Sequence, residues 1–177
     1  MKLSNSYIGL PEDFYQVINP VPVKSPQLIA FNEELAQYLD LEMDPKEALK
    51  YFSGNSIPEN TTPIALNYAG HQFGNFVHEL GDGRATLLGE IEVNKERFDI
   101  QLKGSGPTQF SRQGDGRSAL GPVIREYIIS EAMHHLDIPT TRALAAVLTG
   151  EHVFRDEIEP CLLYTSPSPR DRTRYRM

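Results

Sequence analysis

The chain has 177 residues, of which 40% are hydrophobic and 23% are charged, a composition typical of a folded globular protein. Its net charge of −7 argues against nucleic acid as the partner, and no apolar run reaches the roughly 18 residues that a membrane-spanning helix needs. The single cysteine, Cys161, excludes an internal disulfide, and the N-terminus lacks the apolar segment of a secretion signal, so we expect a cytoplasmic protein.

The first third of the chain predicts two helices followed by a covering loop. Ser25 and Pro26 are typical of a helix start, and apolar residues then recur at helical spacing: Leu28, Phe31, Leu35 and Leu39. Asp44 and Pro45 predict the start of a second, short helix that ends near Gly54. Residues 55–68 are polar and contain two prolines, which favours a loop. We therefore assign residues 1–66 to an N-terminal extension of helices and loops.

Residues 86–103 predict a β-hairpin, because apolar and polar side chains alternate on both sides of a short polar turn. Lys103 ends the second strand on its polar face. A glycine-rich loop (residues 104–116) follows, and then an amphipathic helix from about Gly121 to Leu136. We expect this helix to bury the apolar residues Val123, Ile124, Tyr127, Ile128 and Leu136. Residues 143–148 and 152–155 are predicted to pair as two antiparallel strands.

The last 17 residues, 161–177, differ in composition from the rest of the chain. They are rich in serine, proline and arginine, without periodicity, and they hold four arginines against one aspartate. From composition alone, two interpretations stay open: a flexible basic tail, or sequence foreign to the rest of the chain.

Two copies of the motif Gly-Asp-Gly-Arg, at residues 81–84 and 114–117, are the first candidates for a binding function. Glycine pairs permit tight turns that expose backbone N–H groups to an anion, and arginine adds a fork of donors. The first copy precedes a predicted strand and the second precedes the long helix, whose N-terminus carries partial positive charge. Because Asp-Gly is also a common turn pair, two ordinary turns remain the alternative explanation.

Lys103 is the second candidate, together with a glutamate on the following helix. A strand lysine held by a helix glutamate so that it meets phosphates is the arrangement of kinase-like folds. Glu126 and Glu131 could each be the partner, and we favour Glu126 because it lies nearer the start of the helix. A solvated surface lysine is the alternative interpretation.

Several other classes of site lack their motifs. The chain has no Gly-x-x-x-x-Gly-Lys-Ser/Thr phosphate loop and no third glycine for a dinucleotide fingerprint. Its five histidines form no His-Glu-x-x-His, and Ser105 lacks the Gly-x-Ser-x-Gly context of a hydrolase. We therefore expect no metal site and no hydrolytic nucleophile in this chain.

Several ordered motifs resemble the selenoprotein O family over most of residues 7–160. They are the run Asn67-Tyr68-Ala69-Gly70-His71-Gln72-Phe73-Gly74, the two Gly-Asp-Gly-Arg motifs with their flanking residues, Leu102-Lys103-Gly104-Ser105-Gly106-Pro107-Thr108, Ile124-Arg125-Glu126, Ser130-Glu131-Ala132-Met133 and residues 138–144. So many motifs in the same order make chance similarity very improbable.

The resemblance implies an α+β, protein-kinase-like small lobe, with an antiparallel sheet and one long helix, in residues 67–160. It implies that AMP is transferred from ATP, with Mg²⁺ or Mn²⁺, to Ser, Thr or Tyr hydroxyls of protein substrates. It also implies that the enzyme acts in the bacterial cytoplasm and has neither nucleic acid nor a membrane as partner. The positions that match the family's ATP-contacting residues are Gly81, Gly83, Arg84, Lys103, Asp115 and Gly116. Glu126 matches the glutamate that orients the lysine.

The resemblance ends at Cys161, where the family continues with further nucleotide-binding arginines and a large lobe. That lobe holds the family's catalytic aspartate and metal ligands, so we expect this chain to be a truncated, inactive part of such an enzyme, with 161–177 a foreign or disordered tail. A non-catalytic ATP-binding module of pseudokinase type is the alternative. A conventional protein kinase is disfavoured, because Gly-Asp-Gly-Arg is not the kinase glycine-rich loop.

Overall fold

The computed structural model describes residues 1–169, and within them it has an α+β fold, as the sequence predicts. The α-helices are α1 (Glu33–Tyr38), α2 (Pro45–Phe52) and α3 (Leu120–His135). The strands are β1 (Tyr15–Val17), β2 (Gln27–Phe31), β3 (Ile64–Leu66), β4 (Gly70–Gln72), β5 (Asn75–Val77), β6 (Ala85–Val93), β7 (Glu96–Lys103), β8 (Ser118–Ala119), β9 (Ala145–Phe154) and β10 (Ile158–Pro169).

Eight of these strands form one antiparallel sheet in the order β1-β3-β6-β7-β10-β9-β2, with β8 paired to β10. Strands β4 and β5 form a separate hairpin. The predicted hairpin is confirmed as β6 and β7, joined by a turn at Asn94 and Lys95, which both have positive φ. This sheet places Lys103, the last residue of β7, between Ala85 of β6 and Tyr164 of β10.

Two apolar clusters cover the two faces of the sheet. Successive residues of a strand point to opposite faces, and on β10 Leu163 packs with the α1 and α2 cluster whereas Leu162 and Tyr164 pack with Val123 of α3. The interior of β7 contributes Ile100 and Leu102 to the first cluster, and both are fully buried. Helix α3 is thereby fixed across the middle of the sheet, near the end of β7 that carries Lys103.

The prediction of a helix that begins at Ser25 is wrong for the first half of that segment. Residues 27–31 form β2, which pairs with β9 at the sheet edge, and α1 begins only at Glu33. Asn32 caps this helix, since its side chain accepts a hydrogen bond from the Leu35 backbone N–H. Leu28 and Phe31 contact the core from the strand, so their helical spacing was misleading.

The second helix is confirmed, and the predicted loop after it is only partly correct. Asp44 caps α2 by accepting from the Glu47 N–H, and Gly54 follows the helix with φ +76°. Residues 64–66, predicted as loop, are strand β3. Because β1, β2 and β3 belong to the large sheet, the proposed boundary at residue 66 runs through a continuous structure.

The two short strands predicted after α3 are one long strand. Residues 145–154 are continuous in β9, which pairs with β2 on one side and β10 on the other, rather than folding back on itself. Gly150 has φ +75° within this strand, so the backbone adopts a left-handed conformation there without ending the pairing. Pairing with two neighbours supplies the hydrogen bonds that keep the strand extended.

The expectation of a disordered tail from residue 161 is wrong for residues 161–169, which form most of β10. The Cys161–Tyr164 stretch is buried in the centre of the sheet. A strand covered on both faces is a continuous apolar run without alternation, which explains why periodicity missed it. Whether these residues are foreign stays a prediction, because strand pairing does not report their origin. The four arginines of the tail lie outside the described residues.

Helix α3 buries a narrower face than its sequence predicts. Val123 is buried, and Ile124 and Tyr127 pack partly against the sheet. Ile128 and Leu136, which we expected to be buried, are 59% and 70% exposed. Apolar residues lie on several sides of this helix, so their pattern alone could not select the face that meets the sheet.

Candidate functional site

Lys103 and Glu126 form an ion pair between the end of β7 and the middle of α3. Lys103 Nζ lies 3.5 Å from Glu126 Oε2, and the two side chains are 32% and 41% exposed. The ammonium group also lies 5.5 Å from the ring centroid of Tyr164 on the neighbouring strand. Lys103 is therefore held on one side by a carboxylate and on another by an aromatic face, with its charge still open to solvent.

The same carboxylate connects this pair to the first Gly-Asp-Gly-Arg motif. Arg84 lies 4.0 Å from Glu126 Oε1, so two cations share one glutamate. Glu131, the other candidate partner of the lysine, belongs to a different network and accepts hydrogen bonds from Arg142, Asn32 and the Ala143 N–H. The structure thus brings Lys103 together with Glu126 and not with Glu131.

A cavity of about 430 Å³ lies beside Arg84, and residues of both Gly-Asp-Gly-Arg motifs line it. Among its lining residues are Gly81, Gly83, Arg84, Arg112, Gly114, Asp115, Gly116, Arg117 and Arg155. Four arginines and one carboxylate make this a site suited to a polyanion such as a triphosphate. Lys103 is not among the lining residues and is linked to the cavity through Glu126 and Arg84.

The glycines of the first motif are required by close packing against the turn at residues 109–111. Gly81 has φ +57°, and a Cβ there would lie 2.3 Å from the Phe110 ring. The Thr108 hydroxyl donates to the Asp82 carbonyl at 2.7 Å, and the Ser111 hydroxyl donates to the Gly83 carbonyl. The loop at residues 81–84 is therefore fixed to the short turn at residues 108–111.

Gly116 of the second motif packs even more closely, against the backbone of Gly106. It has φ +66°, and a Cβ at this position would lie 2.0 Å from the carbonyl carbon of Gly106. The Gly106 N–H donates to the Gly116 carbonyl at 3.1 Å. Any side chain at residue 116 would separate the two glycine-rich segments and change the wall of the cavity.

The aspartate of the first motif points into the protein. Asp82 is buried and accepts hydrogen bonds from the Tyr68 hydroxyl at 3.0 Å, the Gln101 side-chain amide at 2.9 Å and the Leu66 N–H at 3.2 Å. Burial raises the pKa of Asp82, although these hydrogen bonds and the charge of Lys103 oppose the effect. Asp82 therefore joins the loop to β3 and β7 and does not line the cavity.

The aspartate of the second motif lies in the cavity wall and is paired there. Arg155 donates to both carboxylate oxygens of Asp115 at 2.8 and 2.9 Å, and the Arg117 N–H donates to Oδ1 at 2.9 Å. The hydrogen bonds from Arg155 lower the pKa of Asp115, so it is ionised at neutral pH. Two copies of one sequence motif thus have different roles in the structure.

Sequence reasoning missed two cavity arginines, Arg112 and Arg155. Arg112 follows the turn at 109–111 and donates to the Gln72 side chain at 2.7 Å, whereas Arg155 directly follows β9. Arg112 flanks the second Gly-Asp-Gly-Arg motif but was not singled out, whereas Arg155 lies in no motif and only the fold brings it beside Asp115. Arg117 was within a motif, but its guanidinium pairs with Glu151 at 3.1 Å and is largely buried.

Within residues 1–169, no group of three or more His, Cys, Asp or Glu side chains is arranged to hold a metal ion. The donor set of the cavity, arginines with one paired aspartate, does not suit Mg²⁺, which prefers carboxylate and water oxygens. The same residues contain no helix long and apolar enough to cross a membrane.

Comparison with known proteins gives consistent matches along the chain. Residues 1–166 match the family described as "Protein adenylyltransferase SelO". The expectation that the resemblance ends at Cys161 is therefore wrong, because the match extends past Pro160 into β10. The chain is similar to three relatives named "Protein nucleotidyltransferase YdiU". Identity is 61% over 160 residues for Agrobacterium fabrum, 59% over 165 for Rhodopseudomonas palustris and 56% over 168 for Maridesulfovibrio salexigens.

These matches cover 88%, 91% and 93% of the chain but only 33%, 34% and 34% of the relatives. The chain therefore spans about a third of the length of the curated relatives that it matches.

Proposed function

The chain belongs to the SelO family of protein adenylyltransferases, and from this premise we propose that it carries the ATP-binding part of a protein-kinase-like small lobe. Family membership confirms the resemblance of the sequence motifs. The observation that carries the proposal is the Lys103–Glu126 ion pair beside a cavity lined by four arginines. A strand lysine held by a helix glutamate is the phosphate-binding arrangement of kinase-like folds.

The fold supports the comparison with a kinase small lobe. Strands β6, β7 and β10 are antiparallel neighbours, and α3 packs against β10 with Glu126 directed to the end of β7. Hairpin, lysine and glutamate-bearing helix follow one another along the chain in the order of a kinase small lobe. This order and packing bring the strand lysine and the helix glutamate close enough to form the ion pair.

We assign the phosphate contacts to the two glycine-rich motifs and the lysine. Gly81, Gly83 and Arg84 form one wall, and Asp115 and Gly116 belong to the opposite loop. Lys103, oriented by Glu126, neutralises phosphate charge from the sheet side. The four arginines that line the cavity support this assignment, although Arg84, Arg117 and Arg155 each pair with a carboxylate, namely Glu126, Glu151 and Asp115.

The proposed reaction is transfer of AMP from ATP to a Ser, Thr or Tyr hydroxyl of a protein in the bacterial cytoplasm. The hydroxyl oxygen forms a bond to the α-phosphorus and gives up its proton to a general base, while the bond from the α-phosphorus to the oxygen that bridges to the β-phosphate breaks and pyrophosphate leaves. Mg²⁺ or Mn²⁺ would stabilise phosphate charge in this reaction. Because residues 1–169 offer no metal cluster, we propose that its ligands and the catalytic aspartate lie in the part of the relatives that this chain does not span.

This division predicts that the chain binds ATP without transferring AMP. A non-catalytic nucleotide-binding module, which would bind ATP through the same residues, is the alternative. The two proposals differ in what the whole protein does. In the first, the larger relatives are active enzymes, and in the second they bind ATP and transfer nothing.

The test uses ATP labelled at either the α- or the γ-phosphate, with a protein acceptor and Mg²⁺. We expect the Agrobacterium fabrum relative to transfer the α-label only and the 177-residue chain to transfer neither label. Transfer of the γ-label would indicate a kinase, and no transfer by the relative would favour the non-catalytic module. Transfer of the α-label by the 177-residue chain would contradict the proposal that it lacks essential residues.

A further inference from the structure

Arg155 connects the end of β9 to the second Gly-Asp-Gly-Arg motif at two points. Its two terminal nitrogens donate to the two carboxylate oxygens of Asp115 at 2.8 and 2.9 Å, although the residues are 40 positions apart in sequence. The same nitrogens donate to the carbonyls of Arg117 at 3.2 Å and Phe154 at 2.8 Å. All four terminal N–H groups of Arg155 are thus used within the protein, which leaves them engaged before any ligand enters.

The ion pair of Arg155 with Asp115 compensates a negative charge in the cavity wall. Within residues 1–169, Asp115 is the one carboxylate that lines this cavity, and an unpaired carboxylate there would repel a phosphate. Arg155 compensates its charge with a planar two-point contact that lysine could not reproduce. The bond to the Arg117 carbonyl fixes the other end of the same loop.

The competing explanation is that Arg155 and Asp115 form an ordinary surface ion pair with no role in binding. The two side chains are 39% and 45% exposed, and exposed pairs contribute little to stability. Arg155, however, also lines the cavity and bonds the loop backbone, so its effect falls on the shape and charge of the cavity wall more than on the fold.

We propose that Arg155 is a positioning residue for the nucleotide phosphates, acting through Asp115 and the loop at residues 115–117. The proposal rests on the proposed function, since it requires ATP to occupy this cavity. Arg155 neutralises Asp115 and keeps Gly116 against Gly106, and it is not itself the main phosphate ligand. Loss of Arg155 exposes the charge of Asp115 to the phosphates.

The test measures binding of ATP and of adenosine to the 177-residue chain by calorimetry. We expect Arg155→Gln to weaken ATP binding about tenfold and to leave adenosine binding unchanged, because adenosine carries no phosphate. Arg155→Lys should recover part of the loss by restoring charge without the two-point contact. Arg97→Gln is the matched control, since Arg97 forms a similarly exposed ion pair with Glu92 on the β6–β7 hairpin.

A double variant separates positioning from simple structural support. Adding Asp115→Asn to Arg155→Gln removes the uncompensated charge, so we expect the double variant to bind ATP more tightly than Arg155→Gln alone. Equal ATP affinity for wild type and Arg155→Gln would overturn the inference, as would a double variant that binds still more weakly. Wild type that binds no ATP would instead contradict the proposed function, and the inference with it.

Discussion

Lys103 pairs with Glu126, and not with Glu131, five residues further along the same helix. The distance from Lys103 Nζ to Glu126 Oε2 is 3.5 Å, whereas Glu131 accepts from Arg142 and from the Ala143 N–H. One glutamate faces the open end of β7, and the other joins α3 to the segment before β9. The two glutamates therefore provide a matched pair for separating binding from stability.

Glu126→Gln should weaken ATP binding about threefold to fivefold and leave stability nearly unchanged. The variant removes the charge that orients Lys103, but an exposed ion pair contributes at most about 1 kcal/mol. Glu131→Gln should do the opposite and lower the free energy of unfolding by about 2 kcal/mol, because Arg142 then lacks its charged partner in a mostly buried setting. Calorimetric titration and urea unfolding of both variants would measure these effects. Equal effects of the two variants on ATP binding would contradict the assignment of Glu126.

Asp82 predicts a specific pH dependence of stability. Burial raises its pKa above the ordinary value of about 4, so the folded protein holds this proton more tightly than the unfolded chain does. The contribution of Asp82 to the free energy of unfolding therefore falls as the pH rises from about 4 through the raised pKa. Asp82→Asn should remove this contribution.

The measurement is urea unfolding of wild type and Asp82→Asn between pH 4 and 7. The free energy of unfolding of wild type minus that of the variant should decrease as the pH rises. This difference cancels the contributions of other carboxyls such as Asp99, which is partly buried and whose pKa is also raised by desolvation. A difference that stays constant, or that grows with pH, would show that the pKa of Asp82 is not raised.

Gly116 and Gly121 offer contrasting tests of the second glycine-rich segment. Gly116→Ala should destabilise the protein by about 1–3 kcal/mol and abolish most ATP binding, because its Cβ would collide with the Gly106 backbone at positive φ. Gly121→Ala, in the first turn of α3 with no atom within 4 Å of the new Cβ, should raise stability by less than about 1 kcal/mol or leave it unchanged. Thermal unfolding and ATP titration of both variants check this, and loss of ATP binding in both would indicate a general effect of the substitution.

The orientation of α3 is tested by two apolar residues of different exposure. Val123→Ala should lower the free energy of unfolding by about 2 kcal/mol, because Val123 is buried against Leu162 and Tyr164. Ile128→Ala should change it by less than about 0.5 kcal/mol, because Ile128 is largely exposed. Urea unfolding distinguishes the two, and a larger loss for Ile128→Ala would mean that the helix presents its other face to the sheet.

Local chemistry was sufficient to predict some elements of the fold. Alternation predicted the β6–β7 hairpin, and Asp44 with Pro45 predicted α2, because each signal lies within the element that it specifies. The segment 27–31 was missed because its pairing with β9 depends on residues more than a hundred positions away. Cys161–Tyr164 was missed because a strand buried on both faces shows no alternation.

The residues of the candidate site likewise fall into those that local sequence patterns predict and those that only long-range contacts reveal. Lys103 and Glu126 could be found because a strand and the helix after it place them together. The two motif aspartates could not be told apart, since only the fold buries Asp82 and pairs Asp115 with Arg155. Arg155 lies in no motif, and its contact with Asp115 depends on how β9 ends beside the loop.

We propose that Lys103 serves a triphosphate site, and ATP titration of the 177-residue chain by calorimetry tests this role. Lys103→Ala should weaken ATP binding at least about tenfold, because the variant removes a cation held beside the phosphate cavity. Lys46→Ala, an exposed lysine on α2, is the control and should bind as wild type does. Equal ATP affinity for wild type, Lys103→Ala and Lys46→Ala would contradict the claim.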